Sequence, residues 1–105
     1  MSMQKIELND GTFIPQLGLG VWQIQNGDDV KQAVTSALDN GYRLIDTATM
    51  YGNERGVGEA IRESDVPRSE INVTTKLWNG SHGRDQTIRA FETSLETMGL
   101  DYIDL

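Results

Sequence analysis

The sequence contains no cysteine, only one histidine, and no apolar run long enough to span a membrane. Without cysteine, a disulfide, a thiolate nucleophile and a thiolate metal site are all excluded. No spacing of histidine, aspartate and glutamate indicates a metal site of another kind. The first residues lack the apolar core of a secretory signal, so we expect a cytoplasmic protein.

Positive charge is also scarce, because 9 lysine and arginine residues stand against 16 acidic ones and give a formal net charge of −7. Nucleic acids and anionic membrane surfaces bind basic protein faces, so neither is expected as the main partner. A small anionic ligand is not excluded, since it needs only a local cationic pocket. The 105 residues, 37% hydrophobic and 24% charged, suit one small folded domain.

Short apolar runs alternate with amphipathic segments along the chain. Turn residues at 9–11 between two alternating runs predict a β-hairpin. Further strands are predicted at residues 17–22, 42–46, 71–76 and 102–105. Three helices are predicted from apolar positions at helical spacing, the first and third of them ended by Gly41 and Gly99. Those positions are Val30, Ala33, Val34, Ala37 and Leu38, then Val57, Ala60 and Ile61, then Ile88, Phe91, Leu95 and Met98.

The four strand centres, near Leu19, Ile45, Val73 and Ile103, are 26, 28 and 30 residues apart. Strand–helix–strand units of this length predict parallel strands joined by crossover helices. A (β/α)₈ TIM barrel of about 250 residues has this unit length. We therefore predict that residues 1–105 form the N-terminal part of such an α/β barrel. It would consist of a hairpin and about three and a half βα units, truncated near the fourth strand, with the rest of the domain absent.

Three residues with complementary chemistry follow the predicted second and third strands. Asp46 and Lys76 end strands and Tyr51 lies in the loop after Asp46, so all three are expected at the rim where such folds carry chemistry. Taken one at a time, Asp46 is interpreted as a helix cap, Tyr51 as a packed aromatic residue and Lys76 as a solvated charge. Together, aspartate balances lysine, and lysine favours the phenolate, so that tyrosine can donate a proton near neutral pH. This combination suits protonation of a carbonyl oxygen while a hydride reaches the carbon.

Residues 41–58 also resemble the sequence signature of a known protein family. Gly41 to Ala48, then Glu54 and Val57-Gly58, resemble without departure the first signature of the aldo-keto reductases. Residues 13–22 resemble the hairpin and first strand of that family, 76–79 the end of its third strand, and 99–105 the entry to its fourth. Within that family, the chain resembles bacterial members of the 2,5-diketo-D-gluconate reductase kind.

The resemblance implies roles for individual residues. Tyr51 would be the general acid, Lys76 the cation beside it, and Asp46 the partner of Lys76. Asn53 and Glu54 belong to the signature but receive no catalytic role. The implied cofactor is NADPH, with NADH as the alternative, and the implied substrate is a small carbonyl compound. The implied cofactor contacts are Gly20, Val21, Trp22 and Asp46, and the implied substrate pocket is lined by Trp22, Tyr51 and Trp78.

Two features of the resembling family are absent from the sequence. Its catalytic histidine follows the fourth strand, and the groups that hold the adenosine phosphate lie later still. His82 stands in a different loop and is interpreted as a loop residue. We therefore expect the 105 residues alone to be inactive, although the parent protein would be an NAD(P)H-dependent oxidoreductase that reduces aldehydes and ketones to alcohols.

Two alternatives remain open. The chain could be a non-catalytic fragment or assembly partner that another polypeptide completes, for instance the missing C-terminal part as a separate chain. It could also be only partly folded. A Rossmann dinucleotide site is disfavoured, because Gln23 stands where the third glycine of the Gly18-x-Gly20 pattern should be.

Overall fold

The computed structural model describes residues 4–105, and it begins with the predicted hairpin. Strands β1 (Lys5–Glu7) and β2 (Phe13–Pro15) pair antiparallel, with Ile6 opposite Ile14. The Asp10 carboxylate accepts hydrogen bonds from both the N–H and the hydroxyl of Thr12, at 3.0 and 2.6 Å, which fixes the connecting turn. The hairpin prediction is confirmed.

The second sheet has three parallel strands in the order in which they occur along the chain. Strands β3 (Leu19–Gly20), β4 (Leu44–Asp46) and β5 (Asn72–Thr74) lie side by side. Leu19 pairs with Ile45, and Ile45 pairs with Val73. The strands predicted at 17–22, 42–46 and 71–76 are confirmed, although each is shorter than its apolar run.

Helices α1 (Asp28–Asp39), α2 (Glu54–Glu63) and α3 (Arg84–Met98) confirm the three predicted helices. The end of α1 shows why glycine is needed there. Gly41 has φ of 92°, and its N–H donates to Leu38 O at 3.2 Å. The next N–H, of Tyr42, donates to Ala37 O at 2.9 Å, which completes the capping motif expected for a left-handed residue after a helix. Within residues 4–105, no helix has the length and apolarity to cross a membrane.

The core lies between the helices and one face of the parallel sheet. Its fully or almost fully buried residues are Val21, Val30, Val34, Leu38, Ile45, Val57, Ala60, Ile61, Ile71, Val73 and Met98. On α3 only the C-terminal half joins this core, because Ser94 and Met98 are buried whereas Ile88 and Phe91 are 44% and 47% exposed. The predicted apolar stripe of α3 is therefore confirmed at Met98 but not at Ile88 and Phe91.

The fourth strand predicted at residues 102–105 is confirmed in part: the segment is not a regular strand over its whole length, but Leu105 makes both hydrogen bonds of a parallel pair with the end of β5. The segment lies beside β5, since the N–H groups of Asp104 and Leu105 donate to Val73 O at 3.0 and 3.1 Å. The Thr75 N–H in turn donates to Leu105 O at 3.0 Å, whereas the backbone around residues 102–104 is bound by side chains. The Asp104 carboxylate accepts the N–H of Val73 at 2.8 Å, and the Arg68 guanidinium donates to Tyr102 O at 2.8 Å.

Candidate active site

The parallel pairing of β4 and β5 brings Asp46 and Lys76 together. Asp46 pairs with Thr74, so Lys76 stands two residues beyond the pairing position on the adjacent strand. The Lys76 ammonium forms an ion pair with the Asp46 carboxylate. It also donates a hydrogen bond to Thr47 O at 3.2 Å. Two contacts from one strand end therefore orient the amine.

Tyr51 reaches the same place through a short 3₁₀ turn, Thr49–Tyr51, that follows β4. Lys76 Nζ lies 5.2 Å from the centre of the Tyr51 ring. The turn is tied to the end of β5, because both the N–H and the hydroxyl of Thr49 donate to Lys76 O, at 3.3 and 3.1 Å. The structure thus brings Asp46, Tyr51 and Lys76 together, as the sequence predicts.

The charge of Lys76 is held by its neighbours. Partial burial lowers the pKa of the Lys76 ammonium, but the hydrogen bond and charge of Asp46, with a further contribution from Tyr51, outweigh burial and raise this pKa above its ordinary 10.5. The amine therefore stays cationic throughout the neutral range. A positive charge is therefore held beside the Tyr51 ring.

The segment after β3 forms the next part of the rim. The Val21 N–H donates to Asp46 O at 3.1 Å, which places this segment beside the end of β4. The Val21 side chain is fully buried in the core, whereas Gly20 and Trp22 are exposed, and the cofactor contacts of all three residues stay predictions. A β-carbon on Gly20 would meet no atom within 4 Å, and the Trp22 side chain is 67% exposed.

Trp78 lies beyond the end of β5, just before the 3₁₀ turn Asn79–Ser81. Its indole is half exposed and packs on Gly80, where a β-carbon would stand 2.4 Å from the ring atom Cζ3. His82 follows this turn and is exposed. The roles of Trp22 and Trp78 in a substrate pocket stay predictions.

Asn53, named above as part of the signature-like segment without a catalytic role, makes contacts that the sequence did not predict. Its side chain is completely buried. Its amide nitrogen donates to Val21 O and Ile24 O at 2.9 and 3.0 Å, and its amide oxygen accepts the Thr47 hydroxyl at 2.8 Å. The carbonyl partners are 32 and 29 residues away along the chain, so only the position of Asn53 inside segment 41–58 could have drawn attention to it.

Glu54 is also buried, and it accepts a hydrogen bond from the Thr75 hydroxyl at 2.7 Å. This bond joins the start of α2 to the chain just after β5. Asn53 and Glu54 therefore connect the active-site loop to neighbouring segments from two sides.

Comparison with known proteins decides which family this arrangement represents. The sequence model of the Aldo/keto reductase family matches residues 16–105. The chain belongs to the aldo/keto reductase family. It is similar to the 9,11-endoperoxide prostaglandin H2 reductase of Trypanosoma cruzi, with 55% identity over 95% of this chain and 35% of that protein. It is also similar to the glyoxal reductase of Bacillus subtilis, with 48% identity over 95% of this chain and 36% of that protein.

Solved structures of aldo/keto reductases agree with this assignment. The crystal structure of the Brucella melitensis aldo/keto reductase matches 97% of the chain with a TM-score of 0.92 and 55% identity, and the chain covers 40% of it. The Bombyx mori aldo-keto reductase, solved in complex with NADP, matches 98% of the chain with a TM-score of 0.86 and 45% identity, and the chain covers 36% of it. The chain thus has the fold of a part of an aldo/keto reductase and spans 35 to 40% of these relatives.

Proposed function

We propose that this chain supplies the proton-donating side of an NADPH-dependent oxidoreductase that reduces aldehydes and ketones to alcohols. The observation that carries the proposal is the Asp46–Lys76 ion pair beside the Tyr51 ring, at the ends of two parallel strands. Strand ends of this kind hold the active sites of barrel enzymes. Family membership supports the same chemistry.

Each of the three residues has one task in the proposed reaction. Tyr51 donates the proton of its Oη to the carbonyl oxygen of the substrate. Lys76, whose pKa is raised, keeps a positive charge beside the oxygen that becomes negative. Asp46 balances that charge and holds the amine in place, and Thr47 O fixes its direction.

The residues at the rim suit a nicotinamide cofactor. Gly20 leaves open space, and the exposed Trp22 offers a flat apolar face in the same segment. NADPH, when bound, supplies the hydride for the carbonyl carbon. These residues do not discriminate between NADPH and NADH. The choice of NADPH is supported by the Bombyx mori relative, which was solved with NADP. The name of the Bacillus subtilis relative, glyoxal reductase, supports a small carbonyl substrate.

Further βα units are part of the proposal, since the relatives are much longer than this chain. Support comes from an apolar cavity of about 190 Å³ between α3 and the segment after residue 102, lined in part by Leu77, Phe91, Ile103 and Leu105. Additional units of a (β/α)₈ barrel would cover these side chains. Residues 1–105 would then be its hairpin and first three and a half units.

The same exposed apolar side chains also favour a second candidate, an assembly partner completed by another polypeptide. The two candidates differ in the state of the isolated chain in solution. Sedimentation would find the assembly partner in complexes heavier than its 11.7 kDa mass. A clean folded monomer would count against this second candidate.

The proposed function is tested with a completed barrel, defined as this chain joined at Leu105 to the C-terminal remainder of the Brucella melitensis reductase. NADPH oxidation with a small aldehyde is measured for the completed barrel and for the 105-residue chain. We expect turnover only in the completed barrel. A correctly folded completed barrel without turnover would refute the function, and turnover by the 105 residues alone would refute the need for later units.

A further inference from the structure

The segment that presents Trp22 is a strained turn. The Ile24 N–H donates to Val21 O at 3.1 Å, which closes a β-turn with Trp22 and Gln23 at its centre. Gln23 has φ of 65°, and it is the one non-glycine residue with positive φ in the described part of the chain. Glycine normally occupies this third position of a turn, because a β-carbon disfavours it. Something outside the turn must therefore hold it.

The Asn53 side chain is the group that holds it. Its amide nitrogen donates to both Val21 O and Ile24 O, the carbonyls at the two ends of the turn. Because Asn53 is completely buried, water does not compete for these bonds. The Thr47 hydroxyl donates to the amide oxygen and so fixes which way the amide faces.

The same amide is tied to the proton-donating residues. Asn53 follows Tyr51 by two residues, across Gly52, whose φ of 72° makes a sharp bend. Its partner Thr47 follows Asp46 directly, and the Thr47 carbonyl accepts a hydrogen bond from Lys76. One side chain therefore joins the Trp22 turn, the end of β4 and the Tyr51 turn.

We propose that Asn53 is a positioning residue that sets Trp22 against Tyr51. This inference rests on the proposed function, in which Trp22 lies beside the cofactor and substrate. Without the Asn53 amide, the turn at Gln23 relaxes and Trp22 moves relative to Tyr51. Small displacements of this kind reduce turnover, because the reacting groups lose their alignment.

The test uses Asn53→Ala, Gln23→Gly and the double variant in the completed barrel. Asn53→Ala should lower kcat by about tenfold or more. Adding Gln23→Gly should restore kcat to within about threefold of the parent, because glycine favours the turn without help. Thermal stability should stay low in the double variant, since the buried Thr47 hydroxyl and the two carbonyls still lack their partner. If kcat rises and falls with thermal stability across all three variants, Asn53 has a structural role only and the proposal is overturned.

Thr47→Val covers the case in which Asn53→Ala does not fold. It removes only the hydroxyl that orients the Asn53 amide, so it should lower kcat in the same direction by a smaller factor. Unchanged kcat in a folded Thr47→Val variant, with Asn53→Ala unfolded, would count against the proposal.

A spectroscopic readout separates failure of this inference from failure of the proposed function. In the 105-residue chain with Trp78→Phe, Trp22 is the remaining tryptophan, and its indole N–H resonance reports the turn. The resonance should shift in Asn53→Ala and return with Gln23→Gly, whether or not the completed barrel reduces carbonyls. A resonance that stays in place in Asn53→Ala would overturn the positioning role even if the enzyme is active.

Discussion

The pair formed by Asp46 and Lys76 differs from an ordinary surface ion pair in what lies next to it. For comparison, Lys31 on α1 forms surface ion pairs with two acids on α2, Glu59 and Glu63, at 3.6 and 2.6 Å. Such surface pairs contribute little to stability, about 0–1 kcal/mol. The Lys76 side chain is more exposed than that of Lys31, but it stands at a strand end, with a tyrosine ring and a backbone carbonyl as further neighbours. Its significance lies in the charge that it places beside Tyr51.

Replacing Asp46 with asparagine should lower the pKa of Lys76. In the parent chain this pKa lies above 10.5, because the hydrogen bond and charge of Asp46 outweigh partial burial. The ion pair therefore stabilises the fold below pH 10.5 and is lost as the pH rises through the raised pKa. Side-chain NMR of lysine Cε across alkaline pH measures the midpoint, with Asp85→Asn as a control. A Lys76 midpoint that is unchanged in Asp46→Asn would contradict this account of the site.

Gly80→Ala should displace the indole of Trp78. The added methyl group would lie 2.4 Å from Cζ3, and only the movable indole ring stands in its way. In a Trp22→Phe background, the Trp78 fluorescence should change its emission maximum and its quenching by iodide. Asn79→Ala changes the same turn without adding an atom under the ring, so it should leave the emission as it is. Equal spectra for Gly80→Ala and the parent would show that the contact is not made in solution.

At the scale of secondary-structure elements, apolar spacing was enough to predict the hairpin, the three helices and the parallel strands. Positions such as Val30, Val34 and Leu38 lie on one helical face, and that face is the one that is buried. The strand predicted at residues 102–105 is formed only in part, and the reason lies in side-chain contacts. Apolar character predicted a strand there, and Leu105 does pair with the end of β5. Before it, the Asp104 and Arg68 side chains bind the backbone, and such contacts between distant residues cannot be predicted from spacing.

The contact between α2 and α3 depends on Gly58. A β-carbon at Gly58 would lie 2.1 Å from Met98 O and 2.4 Å from Met98 Cα, which are backbone atoms that cannot rotate away. Alanine would gain about 1 kcal/mol of helix propensity, but overpacking costs about 1–3 kcal/mol and more at backbone contacts. We expect Gly58→Ala to lower the free energy of unfolding in urea. The exposed Arg55→Ala change in the same helix should have little effect, and a Gly58→Ala chain as stable as the parent would contradict this packing.

For the molecule as a whole, the sequence predicted the site better than the surfaces around it. The signature-like segment and the strand ends predicted Asp46, Tyr51 and Lys76, because parallel pairing determines which residues meet. The role of Asn53 was not predictable, since its carbonyl partners lie on a turn about 30 residues earlier. The exposure of Ile88 and Phe91 was not predictable either, because periodicity shows an apolar face without showing what packs on it.

The central claim is that Tyr51 donates the proton in a carbonyl reduction that this chain's residues support. The most direct measurement is kcat of the completed barrel with Tyr51→Phe, beside Tyr42→Phe as the matched control and with the dissociation constant of NADPH measured for each variant. The account predicts that Tyr51→Phe lowers kcat by about a hundredfold or more, because a general acid contributes that much, while NADPH affinity stays the same. Turnover by Tyr51→Phe equal to that of Tyr42→Phe would contradict it.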